Sequence, residues 1–393
     1  MIPPYYEYYN PVKILSGRQA LDNIPYELET LGCHRPILIT DQGIIEAGLV
    51  KIVLNAWAGS RLTVGALYDQ TPPDSSNEVV NQVAEIYRER ECDSIVAVGG
   101  GSVLDTAKAV NIVITEETDD LMKFVGAERL RKKMRPLIAV PTTSGTGSEV
   151  TMVAVIAHHE KKCKMAFTSY TLLPDVAVLD PRMTMTVPPG ITAATGMDAL
   201  THAVEAYSCL QKNPLSDAYA CKAIDLIRQY LLRTVKNGRD EEARMAMANA
   251  SLMAGCAFSN AMVGIVHSIG HACGGVCGVP HGVAMAILLP WGMEYNLDKC
   301  NPHYAELLLF LAGPEEYART SPDKRASRSI EAVRQLNTAL HQLTGMPITL
   351  KDAGVKREQL EEIARTAQGD GSLIFNPVEA DFQDIMKILQ SAF

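Results

Sequence analysis

Ser94-Ile95-Val96-Ala97-Val98 runs directly into Gly99-Gly100-Gly101-Ser102. The first five residues form a short, β-branched apolar run of the kind that builds a buried strand. The glycines close it, and the stretch Val103 to Val113 then repeats apolar residues at helical spacing. A strand ending in glycines at the mouth of a helix is a phosphate-binding arrangement. Glycine lets a phosphate approach the backbone, and the first turn of the helix offers free N–H groups and the positive end of its dipole. Ser102 can cap that helix. The same residues also read as a plain structural turn, because the spacing is not Gly-x-Gly-x-x-Gly.

Two further runs repeat the pattern. Pro36-Ile37-Leu38-Ile39-Thr40 ends at Asp41, and Pro136-Leu137-Ile138-Ala139-Val140 ends in Pro141-Thr142-Thr143-Ser144-Gly145-Thr146-Gly147. Helical patterns such as Asn77 to Glu89 lie between the strands. This alternation predicts a Rossmann-like parallel sheet with helices on both faces, its functional loops at the carboxyl ends of the strands. Asp41, at such an end, suits the hydroxyls of an adenosine ribose and repels a 2′-phosphate, which favours NAD over NADP. A lone Asp there also reads as a turn or N-cap residue. The hydroxyls of Thr142, Thr143, Ser144 and Thr146 suit a cofactor's phosphate, ribose or amide. Lys164, on a candidate strand before Ala166-Phe167, suits a ribose or phosphate or is simply exposed.

The texture changes after Leu173 to Gly190, where Pro174, Pro181, Pro188 and Pro189 punctuate strands and turns. Beyond it strand signals nearly vanish. Ala193 to Cys209, Leu215 to Val235, Glu241 to Asn260 and the stretches after Pro302 read as helices. The expected organisation is an α/β domain over residues 1–185 and an all-helical domain over residues 186–393.

The helical half carries the chemistry. Asp198-Ala199-Leu200-Thr201-His202 and His267-Ser268-Ile269-Gly270-His271 each place two donors one helical turn apart, on one face. Pro280-His281-Gly282 adds a further imidazole after Gly274-Gly275, which is expected to end the preceding helix. One carboxylate and three imidazoles suit Fe²⁺, Zn²⁺, Mn²⁺ or Co²⁺. Spacing leaves open whether His271 or His281 completes the set. A spare imidazole beside such a metal suits proton transfer near neutral pH. A divalent cation lowers the pKa of an alcohol, so the pairing with a nicotinamide points to dehydrogenase chemistry in a cleft that excludes water.

Bulk properties narrow the alternatives. The chain has 393 residues, 47% of them hydrophobic, which suits two domains with substantial cores. Its net charge of −9 argues against nucleic acid or an anionic membrane as partner. The basic stretch Arg129-Leu130-Arg131-Lys132-Lys133 reads as a solvated face or loop. No apolar run is long enough to span a membrane, and Met1-Ile2-Pro3-Pro4-Tyr5-Tyr6 lacks a signal-peptide pattern. Nine irregularly spaced cysteines read as reduced thiols, Cys273 and Cys277 included, and a cytoplasmic location is expected.

Five ordered motifs run along the chain: Gly99-Gly100-Gly101-Ser102-x-x-Asp105-x-Ala107-Lys108, Pro141 through Glu149, Leu173 through Pro181, Gly196-Met197-Asp198-Ala199-Leu200-Thr201-His202-Ala203-x-Glu205, and Val266-His267 to Pro280-His281-Gly282. Together they resemble the iron-containing (group III) alcohol dehydrogenases. The resemblance covers essentially the whole chain. It implies the dehydroquinate synthase-like architecture of that family and a hydride exchanged between NAD(H) and a small primary alcohol or diol and its aldehyde. It implies Asp198, His202, His267 and His281 as ligands of Fe²⁺ (or Zn²⁺ or another divalent metal), and His271 as a proton carrier near the nicotinamide. It implies cofactor contacts by Asp41, Gly99, Gly100, Gly101, Ser102, Asp105, Thr142, Thr143, Ser144, Thr146 and Lys164. Phe258 would line the substrate pocket or simply pack in the core. A homodimer or higher assembly is expected, with Tyr5–Tyr9 as a contact. A polyol or hydroxy-acid dehydrogenase is the nearest alternative. A sugar-phosphate cyclase using NAD transiently fits less well, for want of an extra Lys/Arg cluster. The intact Asp-His-His-His set argues against a vestigial, non-catalytic site.

Overall fold

The structure is a computed structural model that describes residues 3–158, 160 and 163–393. The Met1-Ile2 part of the N-terminal reading lies outside the described residues. The chain divides into two compact units, Tyr9–Thr186 and Val187–Phe393, the latter joined by the described residues before Tyr9.

The first unit is built on nine strands among the described residues: β1 (Lys13–Ser16), β2 (Pro36–Ile39), β3 (Ala66–Tyr68), β4 (Ser94–Gly99), β5 (Gly126–Ala127), β6 (Leu137–Pro141), β7 (Val153–His158), β8 (Cys163–Thr168) and β9 (Val176–Leu179). Its helices are α1 (Ile24–Thr30), α2 (Gln42–Glu46), α3 (Leu49–Ala56), α4 (Asn77–Glu89) and α5 (Gly101–Glu116). Six strands form one sheet in the order β1-β9-β6-β4-β2-β3, and every pairing in it is parallel. The three runs read from the sequence as strands are β2, β4 and β6. Each is buried along its whole length, as helices on both faces require. Each aliphatic side chain taken from water there stabilises the unit by about 1.5–3 kcal/mol.

The strand order reverses between β2 and β4: β2 leads outward to β3, while β4 leads the other way to β6. Ligands of open parallel sheets bind beyond the carboxyl ends at such a reversal. Asp41 follows β2 there, and Gly100 and Gly101 follow β4, which itself ends at Gly99. A second, smaller sheet, β5-β8-β7, was not anticipated. Its antiparallel pair β7–β8 carries Lys164. The stretch Arg129–Lys133 lies in a loop outside the regular elements, exposed but for Leu130.

The second unit is helical: α6 (Pro189–Ser208), α7 (Pro214–Lys236), α8 (Glu241–Ala261), α9 (Ile265–Cys277), α10 (His281–Tyr295), α11 (Leu297–Leu311), α12 (Pro314–Arg319), α13 (Arg325–Thr344), α14 (Leu360–Gln368) and α15 (Phe382–Ala392). Helix α6 is central and packs on α7, α8 and α10. It is buried continuously from Gly196 to Ser208, because small and apolar residues occupy its whole circumference. Asp198, His202 and Glu205 are therefore polar groups inside a core, where each needs a partner.

Two further details differ from the sequence reading. Gly100, not Ser102, is the N-cap of α5, and no side chain caps that helix end. Gly274-Gly275 does not end α9. The helix runs on to Cys277 and stops at Gly278, whose φ of +68° lies in the left-handed region that glycine tolerates. Gly278 N–H bonds to the Gly274 carbonyl and Val279 N–H to that of Cys273, which satisfies the helix's last carbonyls. The described cysteines, Cys273 and Cys277 among them, are free thiols. No single described helix is long and apolar enough to cross a membrane.

Candidate metal centre and cofactor loops

Three elements of the helical unit bring the donor residues together. Asp198 and His202 share one face of α6. Between α8 and α9 the chain turns at Met262, whose φ of +70° is rare for a side chain other than glycine, and the two helices meet at 105°. That turn directs the first residues of α9 toward α6. His281 opens α10. The next residue must be small, since a side chain at Gly282 would run into the Ala194 carbonyl of α6.

The donor atoms of Asp198, His267 and His281 all lie within 4.8 Å of one another. Asp198 Oδ1 is 3.2 Å from His281 Nε2, 3.9 Å from His267 Nε2 and 3.8 Å from His202 Nδ1. Asp198 Oδ1, His202 Nδ1 and His267 Nε2 are buried and have no hydrogen-bond partner. Orphaned polar atoms of that kind cost free energy unless something satisfies them, and a cation fits this donor set. His202 stands just outside the mutually close trio. Its ring stacks between those of His267 (centroids 4.5 Å apart) and Phe258 (4.1 Å).

Electrostatics favour ligation. Burial alone would raise the Asp198 carboxyl, but the imidazoles of His202, His281 and His267 outweigh it and hold the group well below the usual carboxylate range. Burial drives His202 down to about 3 against the pull of Asp198. Burial, with His281 and His271 adding to it, also drives His267 well below its ordinary value. One carboxylate and neutral imidazoles with free lone pairs are what a divalent metal requires.

His271 faces elsewhere. Its Nδ1 lies 2.8 Å from Asp370 Oδ2, while its ring stacks on that of His281 with centroids 5.4 Å apart. The ring is 39% exposed, so it meets solvent as well as the donor cluster. Spacing leaves His271 and His281 as rival ligands; the donor atom of His281 lies within 4.8 Å of those of Asp198 and His267, whereas His271 Nδ1 pairs with Asp370.

In the α/β unit, β4 and β6 are neighbours with Gly99 opposite Pro141, so their loops emerge side by side. Thr142 N–H bonds to the Gly99 carbonyl at 3.0 Å. Thr143 lies over Gly100, and Thr146 lies so close to Gly101 that a Cβ there would come within 2.8 Å of it. Thr142 is buried, whereas Thr143, Ser144 and Thr146 are half-buried at the loop surface. Asp41 caps α2, its Oδ1 accepting from Ile44 N–H at 2.9 Å. Lys164 Nζ donates to Asp74 Oδ1 at 2.7 Å, and Asp74 N–H donates to Ser102 Oγ.

Asp105 turns into the unit. Its two oxygens accept from Ser148 Oγ (2.8 Å) and Val155 N–H (3.0 Å). The buried Lys108 ammonium donates to Ser148 Oγ and to the Thr151 and Val153 carbonyls. Burial lowers this lysine to about 8. Together they brace the segment that follows the Thr142–Thr146 loop.

Two carboxylates near the donor cluster had no assigned role in the sequence reading, Glu205 and Asp370. Glu205 stands in a quoted motif, three residues after His202, and that position was its only signal. Asp370 had none.

Comparison with known proteins places this geometry in context. The family profile described as "Iron-containing alcohol dehydrogenase" matches residues 11–181, and that described as "Fe-containing alcohol dehydrogenase family, C-terminal" matches residues 192–393. The chain is 35% identical over 385 residues to the NAD-dependent methanol dehydrogenase of Bacillus methanolicus, covering 98% of this chain and 99% of that one. It is 37% identical over 390 residues to the 1,3-propanediol dehydrogenase of Klebsiella pneumoniae, covering 99% of each. A crystal structure of 1,3-propanediol oxidoreductase superposes with a TM-score of 0.94 at 37% identity, covering 99% of this chain and all of the other.

Proposed function

The chain belongs to the iron-containing alcohol dehydrogenase family, and from that premise we propose the division of labour among its residues. The protein is a metal-dependent oxidoreductase that exchanges a hydride between NAD(H) and a small primary alcohol or diol and the corresponding aldehyde. Asp198, His202, His267 and His281 hold the metal. The observation that carries this is the cluster of buried, unpartnered donor atoms of Asp198, His202 and His267 around which His281 closes. When bound, the cation supplies Lewis acidity that lowers the cost of deprotonating an alcohol, and NAD supplies the hydride acceptor.

His271 carries the proton between the substrate hydroxyl and solvent. Its half-exposed ring and its hydrogen bond to Asp370 suit that task. Gly99, Gly100, Gly101 and Ser102 receive the cofactor pyrophosphate at the uncapped N-terminus of α5. Thr142, Thr143, Ser144 and Thr146 contact the nicotinamide side. Asp105 acts on this loop from behind, through Ser148. Asp41 meets the adenosine ribose with the oxygen that α2 leaves free, and Lys164 meets a ribose hydroxyl or phosphate in exchange for Asp74. Phe258 lines the substrate pocket with the face that His202 does not cover.

A cytoplasmic homodimer is the assembly we favour. Tyr5 is 78% exposed, and Tyr6 and Tyr9 are exposed too, while Tyr8 stacks on Tyr219 and Tyr9 meets Tyr170 edge-on, so the N-terminal segment presents aromatic surface to a second copy. Light scattering on the intact chain and on one lacking residues 1–9 tests this. The activity itself is tested by an anaerobic panel of short alcohols, diols and aldehydes with Fe²⁺ or Zn²⁺ and with NAD or NADP. Turnover that needs the metal and prefers NAD supports the reading.

A further inference from the structure

Glu205 is buried in the middle of the helical unit, and nothing above gives it work. Its carboxylate spans the start of α9. Oε1 accepts Val266 N–H at 2.8 Å; Oε2 accepts His267 N–H at 3.4 Å and lies 2.6 Å from His267 Nδ1. No side chain of α9's own segment caps that helix. The cap comes instead from two distant residues, Glu205 of α6 and Asn376, whose Oδ1 accepts Ile265 N–H at 3.1 Å. Gly264 leaves room for both, since a Cβ there would approach each of their side chains. A negative group at a helix N-terminus is favourable in itself.

The contact with Nδ1 does something a cap does not. A neutral imidazole has one N–H and one lone pair. With the proton on Nδ1, His267 donates to Glu205 and its lone pair sits on Nε2, directed toward Asp198. With the proton on Nε2, a buried donor would have no acceptor, since Nε2 has no hydrogen-bond partner. The first tautomer satisfies the Nδ1–H and leaves only the Nε2 lone pair open, which a cation can take; the second buries an N–H with no acceptor and sets the Nδ1 lone pair against the carboxylate.

We propose that Glu205 is a positioning residue for the metal: by accepting the His267 Nδ1 proton while holding the backbone of Val266 and His267, it fixes the tautomer and ring direction in which Nε2 ligates. The inference rests on His267 being a metal ligand. It separates two carboxylate–imidazole pairs by function, Glu205–His267 for metal retention and Asp370–His271 for proton transfer.

The test compares wild type, Glu205→Gln, Asn376→Ala and His267→Ala, each freed of metal, titrated with Co²⁺ and followed by the visible absorption of the bound ion. Thermal unfolding of the metal-free proteins is measured alongside. Wild type is expected to bind one equivalent, and His267→Ala to lose most of that affinity. Glu205→Gln is expected to bind roughly 10- to 100-fold more weakly, with a shifted absorption band. Asn376→Ala removes the other half of the same cap. It is expected to lower the unfolding temperature as Glu205→Gln does, while keeping near-wild-type affinity and an unshifted band. Equal affinity in Glu205→Gln and wild type, or equal losses in Glu205→Gln and Asn376→Ala, would reduce Glu205 to a structural cap and overturn the proposal. Failure of wild type to bind, or of His267→Ala to lose binding, overturns the metal assignment itself and the proposal with it. Should Glu205→Gln not fold, nitrogen-15 NMR of zinc-loaded wild type decides. A downfield Nδ1–H signal that disappears in His267→Gln supports the proposal, and no such signal overturns it.

Discussion

The Nδ1 of His271 and the Oδ2 of Asp370 lie 2.8 Å apart, although ninety-nine positions separate the residues in the chain. Asp370 also accepts Ser372 N–H through its other oxygen, so the carboxylate is fixed before it meets the imidazole. Burial would raise this carboxyl, but the contacts with His271 and Ser372 keep it below the ordinary range. It therefore faces the imidazole as an anion. Asp370→Asn keeps the cap on Ser372 and removes the charge. Its kcat is expected to fall by roughly tenfold or more, within the range that general acid–base groups supply, with metal content unchanged. Steady-state rates together with metal analysis check this.

Replacing the histidines one at a time should divide them into two classes. His267→Ala and His281→Ala are expected to be isolated with little metal. His271→Ala is expected to retain a full equivalent and to lose about 100-fold in kcat. Metal content measured on the purified variants decides, and a metal-free His271→Ala would reverse its assigned role.

The glycine loop yields a prediction about cofactor affinity. A Cβ at Gly100 would meet Thr143 Oγ1 no closer than 3.4 Å, so Gly100→Ala fits without repacking. The added methyl group would nevertheless stand where a pyrophosphate must approach the backbone. KM for NAD should rise about tenfold or more, with little change in unfolding temperature.

Glu149 is 2% exposed, and burial pushes its carboxyl from 4.5 up to about 7, against opposing pulls from a backbone N–H and Lys108. Between those values the folded state holds more protons than the unfolded one, so this group's contribution is full below pH 4.5 and is lost as pH rises through about 7. Glu149→Gln mimics the protonated form. It should be more stable than wild type above pH 7, by about 3 kcal/mol at most at ~1.4 kcal/mol per unit, and should show a flatter pH dependence from 4.5 to 7. Denaturant unfolding at several pH values measures the difference.

The residues show why some of this was legible in the sequence and some was not. β2, β4 and β6 are short apolar runs bounded by turn residues, and their period and boundaries are local properties. The Asp198–His202 pair follows from helical spacing alone. The small β5-β8-β7 sheet escaped because β5 is two residues long and pairs with a strand some forty positions away. The end of α9 was misplaced because Gly274-Gly275 resembles a stop, yet the left-handed turn falls at Gly278, where the cap bonds form. Ser102 looks like a cap by residue type, but the turn after β4 puts Gly100 at that position. Asp370 was invisible because nothing near it in the chain marks its partner. Phe258 reads from the sequence as either core or pocket; it packs on the helical core and stacks on His202.

The central claim is that the Asp198, His202, His267 and His281 cluster holds a metal without which NAD-linked alcohol oxidation fails. Its most direct test follows NADH absorbance with a short primary alcohol under anaerobic conditions, first on chelated protein and then after adding one equivalent of Fe²⁺. The account predicts no NADH from the chelated protein and recovery on reloading, with no recovery in His267→Ala. Undiminished turnover by the chelated protein, or a reloaded wild type inert toward every alcohol and aldehyde in the panel, would contradict it.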